Sequence, residues 1–296
     1  MANLFGFQVN ELKETSSMNI RATVLCENTV ATFNGVLAEA GWAVYLETDQ
    51  GNYLFDTGQG ETVIHNAKIL RKNLSEIKGI ILSHHHFDHT GGLLDVLNMT
   101  GETDVYGHHQ LFKKSYWTEY KINGHPKYIG VPFQEELLIS KGAKFKFNYE
   151  ITEIAPDMYL TGEVPRKSNY EKLDKSQVIP FGDEYIPDSL VDDQSLIIKT
   201  EAGLVIILGC AHSGLINILN HAIEMTGEHC IYAVFGGTHL AAASQGQLEN
   251  TIAALKCFDI KKIGVSHCTG FHPSKLIAQE FKKQFFTCNV GTVIEV

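Results

Sequence analysis

Short apolar segments alternate with amphipathic stretches along the whole chain. Apolar runs or two-residue alternation predict β-strands, and apolar residues at helical spacing predict the helices between them. The predicted strands cover residues 18–25, 42–48, 53–55, 80–83, 103–107, 144–148, 158–161, 195–198, 204–208, 230–235, 262–265 and 292–295. The predicted helices cover residues 61–73, 92–99, 215–225, 248–258 and 274–285. Both element types occur in both halves of the chain, which predicts a mixed α/β fold.

Two stretches show no regular period. Residues 110–140 are rich in aromatic side chains. We interpret them as an insertion beside a functional site, either a lid or a surface excursion with local aromatic packing. Residues 165–187 are polar and are expected to be irregular. No linker, low-complexity segment or charge block divides the sequence, so residues 1–296 are predicted to form one domain.

Composition and charge narrow the function classes. The chain has 296 residues, 44% of them hydrophobic, and a formal net charge of −10. Nucleic acids need Lys- and Arg-rich surfaces, so this charge argues against a nucleic-acid partner. The N-terminus lacks the pattern of a signal peptide, and no apolar run approaches the roughly 18 residues of a membrane helix. Six cysteines without Cys-x-x-Cys spacing read as reduced thiols. We therefore expect a cytoplasmic protein without a membrane partner.

The most informative chemistry follows the apolar run at residues 77–82. Four potential metal ligands lie within six residues there: His84, His86, Asp88 and His89. Alternating residues of an extended chain point the same way, so His84 and His86 can share one ion. Asp88 and His89 are then available to a second ion. A strand that ends in converging imidazoles and a carboxylate is a typical metal site.

This run resembles the His-x-His-x-Asp-His signature of the metallo-β-lactamase superfamily. Further segments of that family occur in the expected order, at residues 54–58, 209–214 and 266–270. More narrowly, three segments are similar to the subgroup of dihydropterin-ribofuranosylaminobenzene-phosphate synthase-like hydrolases: residues 162–166, 236–240 and 267–270. The resemblance implies a four-layer αββα sandwich of two mixed sheets with outer helices. It also implies that Asp56, in the first of these segments, supports the site.

The resemblance implies two bound divalent ions. The ligand set of the first ion would be His84, His86 and His212, and that of the second would be Asp88, His89 and His267. Three protein ligands and an open position are typical of catalytic ions. A metal-bound hydroxide would be the nucleophile, with Asp88 also orienting it. Zinc is the expected ion, with iron or manganese as alternatives, because imidazole suits all three.

The sequence departs from the family at one ligand. Many relatives carry a bridging Asp after the strand at residues 230–235, where this chain has Gly237. His239 is a candidate catalytic residue, either as a substitute ligand or as a proton donor, and structural hydrogen bonding is the alternative. Cys210 and Cys268 adjoin predicted ligands, and we expect them to pack behind the site rather than to act as thiolates.

Three further residues are candidates for substrate binding. Arg166 follows Pro165, which stiffens the chain, and its planar fork suits phosphate or carboxylate; a surface ion pair is the alternative. Glu163 lies in the same segment. His272 comes five residues after His267, so it can reach the pocket.

These observations predict a metal-dependent hydrolase. Its expected partner is a small anionic ester, a phosphoester or cyclic phosphodiester, with a pterin-linked substrate implied by the subgroup. Three alternatives stay open: an iron-dependent redox enzyme, a ligand-binding or effector protein with a weak metal site, and a thioesterase or lactonase. His86 favours hydrolysis, since oxygen-reducing relatives prefer Glu there. No feature of the sequence predicts an oligomeric state.

Overall fold

The computed structural model describes residues 18–30 and 35–296. Residues 1–17, for which the sequence predicts no signal peptide, and residues 31–34 lie outside the described residues. The strands of the described part are β1 (Ile20–Cys26), β2 (Ala43–Thr48), β3 (Gly51–Phe55), β4 (Ile77–Ile81), β5 (Thr103–His108), β6 (Tyr116–Ile122), β7 (His125–Tyr128), β8 (Ala143–Asn148), β9 (Thr152–Ala155), β10 (Met158–Leu160), β11 (Gln177–Phe181), β12 (Glu184–Pro187), β13 (Leu196–Thr200), β14 (Gly203–Ile207), β15 (Cys230–Gly237), β16 (Asp259–Ser266), β17 (Phe285–Thr287) and β18 (Val293–Glu295). The helices are α1 (Val63–Ile69), α2 (Phe87–Thr90), α3 (Leu93–Thr100), α4 (Glu135–Ser140), α5 (Leu215–Thr226), α6 (Gln245–Leu255) and α7 (Phe271–Phe281).

Two large mixed sheets form the centre of the fold. One has the strand order β18-β1-β2-β3-β4-β5-β8 and the other β17-β16-β15-β14-β13-β10-β9. Within each sheet the hairpin-linked strands pair antiparallel, whereas β3-β4-β5-β8 and β14-β15-β16-β17 pair parallel. The carboxyl ends of parallel strands are where open sheets gather functional residues.

Alternation along the strands separates three apolar cores. In β14, Val205 and Ile207 belong to the core between the two sheets, whereas Ile206 faces a second core with α5, α6 and α7. In β4, Ile81 faces the core between the sheets and Ile80 faces a third core with α1, α3 and α4. Because side chains of a strand alternate between its two faces, each sheet has a helix layer outside and a sheet inside. The expected four-layer αββα sandwich is therefore confirmed.

The irregular structure expected for residues 165–187 is wrong over its second half. There β11 and β12 form a hairpin in which Phe181 pairs with Glu184 around a two-residue turn. Gly182 adopts φ = 60° in that turn, a conformation that glycine takes without steric cost. Only the first two residues of β11 are buried and β12 is exposed throughout, so the alternation of apolar and polar residues that predicts strands is missing here.

The aromatic segment at residues 110–140 joins that hairpin. Its strands β6 and β7 complete a third sheet with the order β12-β11-β6-β7. The segment contacts the histidine-rich loop, because the Phe87 N–H donates to the Ile129 carbonyl at 2.9 Å and the Lys127 ammonium lies 4.5 Å from the centre of the Phe87 ring. This part of the chain therefore lies beside the predicted site.

Helix boundaries differ from the sequence prediction by a few residues for local reasons. Helix α6 begins at Gln245 because the Ser244 hydroxyl accepts a hydrogen bond from the Gln247 N–H, which caps the helix. Helix α7 begins at Phe271 and includes Pro273, since proline is tolerated in the first turn. Across residues 18–30 and 35–296, the structure has no helix with the length and hydropathy needed to cross a membrane.

The core between the sheets predicts a clear difference between two leucine substitutions. Leu46 is fully buried in this core, whereas Leu137 on α4 is 40% exposed. Leu46→Ala should lower the free energy of unfolding by about 2–5 kcal/mol because it leaves a cavity. Leu137→Ala should change it by about 0.5 kcal/mol or less. Chemical denaturation of both variants checks this, and equal effects would contradict the placement of Leu46.

Candidate metal centre

Strand ends from both large sheets meet at one edge of the sandwich. The histidine-rich loop follows β4, the loop with Cys210 and His212 follows β14, and His267 directly follows β16. Ala211, His239 and His267 adopt φ values of 57°, 50° and 53°. Such values are strained for residues with a side chain and concentrate at functional sites. The backbone is therefore locally strained where the candidate ligands converge.

The first-site group consists of His84, His86 and His212. Their ligand nitrogens lie within 4.8 Å of one another, and all three side chains are buried. The Nε2 atom of His84 lies 3.0 Å from Nδ1 of His86. The ring of His212 has its centre 4.9 Å from that of His84 and 5.0 Å from that of His86. Burial, followed by the neighbouring imidazoles, holds the pKa of all three well below the usual value, so they are neutral. Neutral imidazoles are the form that binds metal.

The second-site group consists of Asp88, His89 and His267. Their ligand atoms also lie within 4.8 Å of one another, with His267 Nε2 at 3.2 Å from Asp88 Oδ2. Burial opposes ionisation of Asp88, but the hydrogen bond from His267 and the charges of nearby histidines hold its pKa below the usual range. The sequence-predicted ligands of both ions thus fall into two adjacent groups.

Hydrogen bonds fix which ring nitrogen of each ligand is free. His89 donates its Nδ1–H to Asp56 at 2.7 Å, and His267 donates its Nδ1–H to Asn28 Oδ1 at 2.8 Å. The Ser83 hydroxyl donates to Asp56 and therefore accepts from Nδ1 of His84 at 2.9 Å. In each of these three rings the Nε2 atom is left to face its group, an arrangement that orients metal-binding histidines.

The carboxylate of Asp56 connects the two groups. Its Oδ1 atom accepts from the Ser83 N–H, and its Oδ2 atom accepts from the Ser83 hydroxyl and from His89, each at 2.7 Å. Burial would lower the pKa of His89, but the charge of Asp56 raises it to about 9. Cation binding at the second-site group must displace that proton, because a ligand imidazole is neutral.

Asp192 and Asp193 stabilise the site from the other sheet. Asp192 accepts from the His85 N–H and from His85 Nδ1 at 3.0 and 2.6 Å, and from the Lys113 ammonium at 2.7 Å. His85 therefore points away from the first-site group, as the alternation along the loop predicts. Asp193 accepts from the Ser213 N–H at 2.8 Å and thereby holds the turn after His212. Both carboxylates are buried.

The donor atoms fit bound cations. Among the described residues, neither ring nitrogen of the buried His212 has a hydrogen-bond partner, and Nε2 of His86 has none. An unpaired buried polar nitrogen costs about 1–3 kcal/mol, so several together favour a ligand that uses their lone pairs. Three imidazoles in one group, and two imidazoles with a carboxylate in the next, suit transition-metal cations.

Gly237 leaves no space for the carboxylate that many relatives have at this position. A Cβ atom there would lie 2.5 Å from the Gly209 carbonyl oxygen and 2.7 Å from Sγ of Cys268. These distances are too short for any side chain without a shift of the neighbours. The packing around Gly237 therefore excludes a bridging carboxylate at this position.

His239 lies beside the first-site group rather than inside it. Its ring centre is 4.4 Å from that of His212, and its Nε2 atom is 3.3 Å from Oδ2 of Asp174. Burial would lower the pKa of His239, but the hydrogen bonds of Asp174 and Cys268 raise it to about 10. Within the described chain its Nδ1 atom is buried and has no partner. The contact with Asp174 is the structural hydrogen bond that the sequence left open, and the unpartnered Nδ1 atom leaves the proton-donor role open beside it.

Asp174 was missed by the sequence reasoning, because it lies in the stretch expected to be irregular. Its Oδ1 atom accepts from the Ser176 N–H and hydroxyl at 2.9 and 2.7 Å, which leaves Oδ2 for His239. Asp-x-Ser is a local turn signal that could have placed this carboxylate in a defined conformation. It could not have indicated the partner.

The three predicted substrate-binding residues have different surroundings. The Nη1 and Nη2 atoms of Arg166 donate to the carbonyls of His212 and Ser189 at 2.7 and 3.0 Å. The expectation of a free anion-binding fork is thus corrected: two of its nitrogens brace the backbone. Glu163 is 3.4 Å from Nε2 of His108, in a separate acidic and histidine cluster. His272 lies exposed in the first turn of α7.

Comparisons with known proteins agree with this architecture. A family model described as the metallo-β-lactamase superfamily matches residues 37–214. A Methanocaldococcus jannaschii protein named 7,8-dihydropterin-6-methyl-4-(β-D-ribofuranosyl)-aminobenzene-5′-phosphate synthase is 31% identical over 94% of this chain and 97% of its own length. The crystal structure of Tm1679, a metal-dependent hydrolase of the β-lactamase superfamily, has a TM-score of 0.80 and 29% identity, and the match covers 94% of this chain and 99% of Tm1679. A diphosphatase of the PhnP family, at 14% identity and a TM-score of 0.52 over 94% of this chain and 98% of its own, shares the fold.

The hydrogen bonds of Asp56 predict a loss of metal affinity on substitution. Asp56→Asn replaces one acceptor oxygen by a donor, so His89 and Ser83 cannot both keep their bonds. The affinity for the weaker-bound ion should fall about 10- to 100-fold. Chelator competition on the metal-free protein measures this, with Asp183→Asn in an exposed turn as the matched control. Equal affinities in a correctly folded Asp56→Asn variant would contradict the role of this carboxylate.

Proposed function

The chain belongs to the metallo-β-lactamase superfamily, and we propose that it is a hydrolase with two divalent ions, zinc first, that acts on a small anionic ester. The two ligand groups converge in the structure, and the ligand atoms within each group lie close together. This convergence is the observation that carries the proposal. When bound, two cations supply an ionised water near neutral pH and polarise the ester. No serine or cysteine nucleophile is required in this reading.

The protein residues divide the remaining work. Asp88 lies at the junction of the two groups, where its carboxylate can orient the attacking water and accept a hydrogen bond from it. His239 faces the same space, and its pKa of about 10 keeps it protonated at neutral pH. Asp174 holds its ring by the hydrogen bond to Nε2. We assign the Nδ1–H of His239 the role of general acid.

For a phosphodiester the step balances simply. The water oxygen forms a bond to phosphorus while the ester P–O bond breaks, and the leaving oxygen takes the proton of His239. The proton that the attacking water loses passes to solvent, because the lowered pKa of Asp88 keeps that carboxylate ionised. The products are a phosphomonoester and an alcohol, and Asp174 stabilises the imidazolium before the step without itself changing protonation.

A phosphate-containing substrate has specific support. The protonated His239 places a positive charge next to the first-site group, which favours an anion. The Methanocaldococcus jannaschii relative carries a pterin and a 5′-phosphate in its name. A pterin-linked phosphoester is therefore the finer form of the proposal. Arg166 contributes by fixing the His212 carbonyl.

The remaining expectations complete the proposal. Residues 1–296 are proposed as one domain, with the aromatic segment at 110–140 as a cover for the pocket, since it contacts the histidine-rich loop. All six cysteines are free thiols, in line with a cytoplasmic location. A small molecule rather than nucleic acid or membrane is the proposed partner, because the net charge is −10.

Substitution of Asp88 tests the reaction class. Asp88→Asn removes a charged ligand and the group that orients water, so turnover should fall at least about 10³-fold while the fold is retained. Hydrolysis of a nitrophenyl phosphodiester and of a thioester would be measured in parallel on the zinc form. Wild-type turnover of the thioester alone would contradict the phosphoester proposal, and comparable turnover in Asp88→Asn would exclude the mechanism.

His239 and Asp174 predict a separable effect. His239→Ala should retain two ions per chain by elemental analysis but lose about 10²-fold or more in kcat, because a general acid contributes about 10²–10⁴-fold. The loss should be small for a nitrophenolate leaving group, which needs no proton, and large for an alkoxide. Asp174→Asn should show the same pattern more weakly. Loss of one ion in His239→Ala would make His239 a ligand and contradict its assignment as the acid.

A further inference from the structure

Two cysteine thiols lie at the boundary between the two ligand groups. The Sγ atom of Cys210 is 3.1 Å from Nε2 of His89, the nitrogen left free by the bond from Nδ1 to Asp56. Cys210 is 3% exposed, so its sulfur is surrounded by protein atoms and not by solvent. Thiols packed in a core are surrounded by apolar atoms, and this one faces an imidazole nitrogen.

The same sulfur is within reach of ligands from both groups. Cys210 Sγ lies within 4.8 Å of ligand nitrogens of His84 and His89, and also within 4.8 Å of His267. Zinc lies about 2.3 Å from a sulfur ligand and about 2.0–2.1 Å from a nitrogen ligand. A sulfur and a nitrogen that bind the same ion can therefore be at most the sum of these bond lengths apart, about 4.4 Å. The distance of 3.1 Å between Cys210 Sγ and His89 Nε2 satisfies this limit.

The loops that carry the two cysteines pack against position 237, where many relatives have the bridging carboxylate. A Cβ atom at Gly237 would lie 2.7 Å from Cys268 Sγ and 3.1 Å from the Cα atom of Cys210. The Cys268 sulfur and the Cys210 backbone therefore fill the volume that a side chain at position 237 would need. The contact between Cys210 and His89 is visible only in the folded chain, since the two residues are separated by 121 positions.

The surroundings of the two sulfurs distinguish their roles. Cys268 Sγ accepts the His239 N–H at 3.3 Å and lies 3.6 Å from the Cys210 carbonyl oxygen, so backbone groups already use it. Cys210 Sγ has its contact with a ligand nitrogen instead. Cys268 thus acts as a positioning residue that fills the volume behind Cys210.

We propose that the Cys210 thiolate is a protein ligand of the second ion, in the place of the bridging carboxylate, together with Asp88, His89 and His267. The inference rests on the dinuclear site of the proposed function and changes the expectation that both cysteines only pack. Binding releases the thiol proton to solvent as the metal–sulfur bond forms. A thiolate selects softer ions, so the second site should prefer zinc or cobalt over manganese or magnesium.

Cobalt titration of the metal-free protein under anaerobic conditions tests the ligand directly. A thiolate bound to Co²⁺ gives a charge-transfer band in the near ultraviolet, which imidazole and carboxylate ligands do not give. Wild type should bind two ions and develop this band. Cys210→Ser should lose the band and bind the second ion at least about 10-fold more weakly. Cys268→Ser, and Cys288→Ser as a control for a buried thiol away from the ligand groups, should keep it.

The outcomes separate this inference from the proposed function. Two bound ions without a band in wild type, or a band that persists in Cys210→Ser, would overturn the thiolate ligand and leave the dinuclear hydrolase standing. A single ion per wild-type chain would overturn both. X-ray absorption of the wild-type zinc form needs no variant to fold: a sulfur shell at about 2.3 Å supports the proposal, and a shell of nitrogen and oxygen alone overturns it.

Discussion

The arrangement of the metal centre depends on one buried carboxylate. Asp56 accepts three hydrogen bonds from two residues of the histidine-rich loop while its side chain is fully buried. Such a group is stable only when its oxygens are satisfied, so the loop cannot move away without a large desolvation cost. The same bonds choose the ring nitrogen that His89 presents and, through Ser83, the one that His84 presents. Fold stability and ligand geometry are therefore set by the same contacts.

The two sheets contribute unequal parts of the centre. The first sheet delivers the histidine-rich loop as one continuous segment after β4, with its supporting carboxylate at the end of β3. The second sheet delivers single residues from three separate strand ends. Arg166 and Asp193 hold the segment after β14, Asp174 holds His239 after β15, and Glu27 and Asn28 hold His267 after β16. Closing the sandwich over its apolar core brings the two sets together. The core between the sheets is thus a condition for the chemistry.

Local patterns predicted most of the scaffold. The strands that bury a face and the larger helices were recognised because apolar periodicity follows directly from burial. The hairpin of β11 and β12 was not recognised, since its short strands show no alternation of apolar and polar residues. The candidate ligands could be named from the sequence, because four of them lie within six residues and their spacing is itself the signal. Arg166 was anticipated as a free anion-binding group, but two of its nitrogens donate hydrogen bonds to backbone carbonyls.

The sequence by itself determined the α/β class, the family and the candidate ligands, because these depend on residue type and short spacing. Tertiary structure decided the partners: Asn28 for His267 across 239 residues, Asp174 for His239 across 65, and Cys210 for His89 across 121. A hydrogen bond or a shared ligand position requires distances of a few ångströms and a defined direction. Spacing along an unfolded chain carries no information on either, so only the packed sheets could select the ring nitrogens, the proton donor and the sulfur.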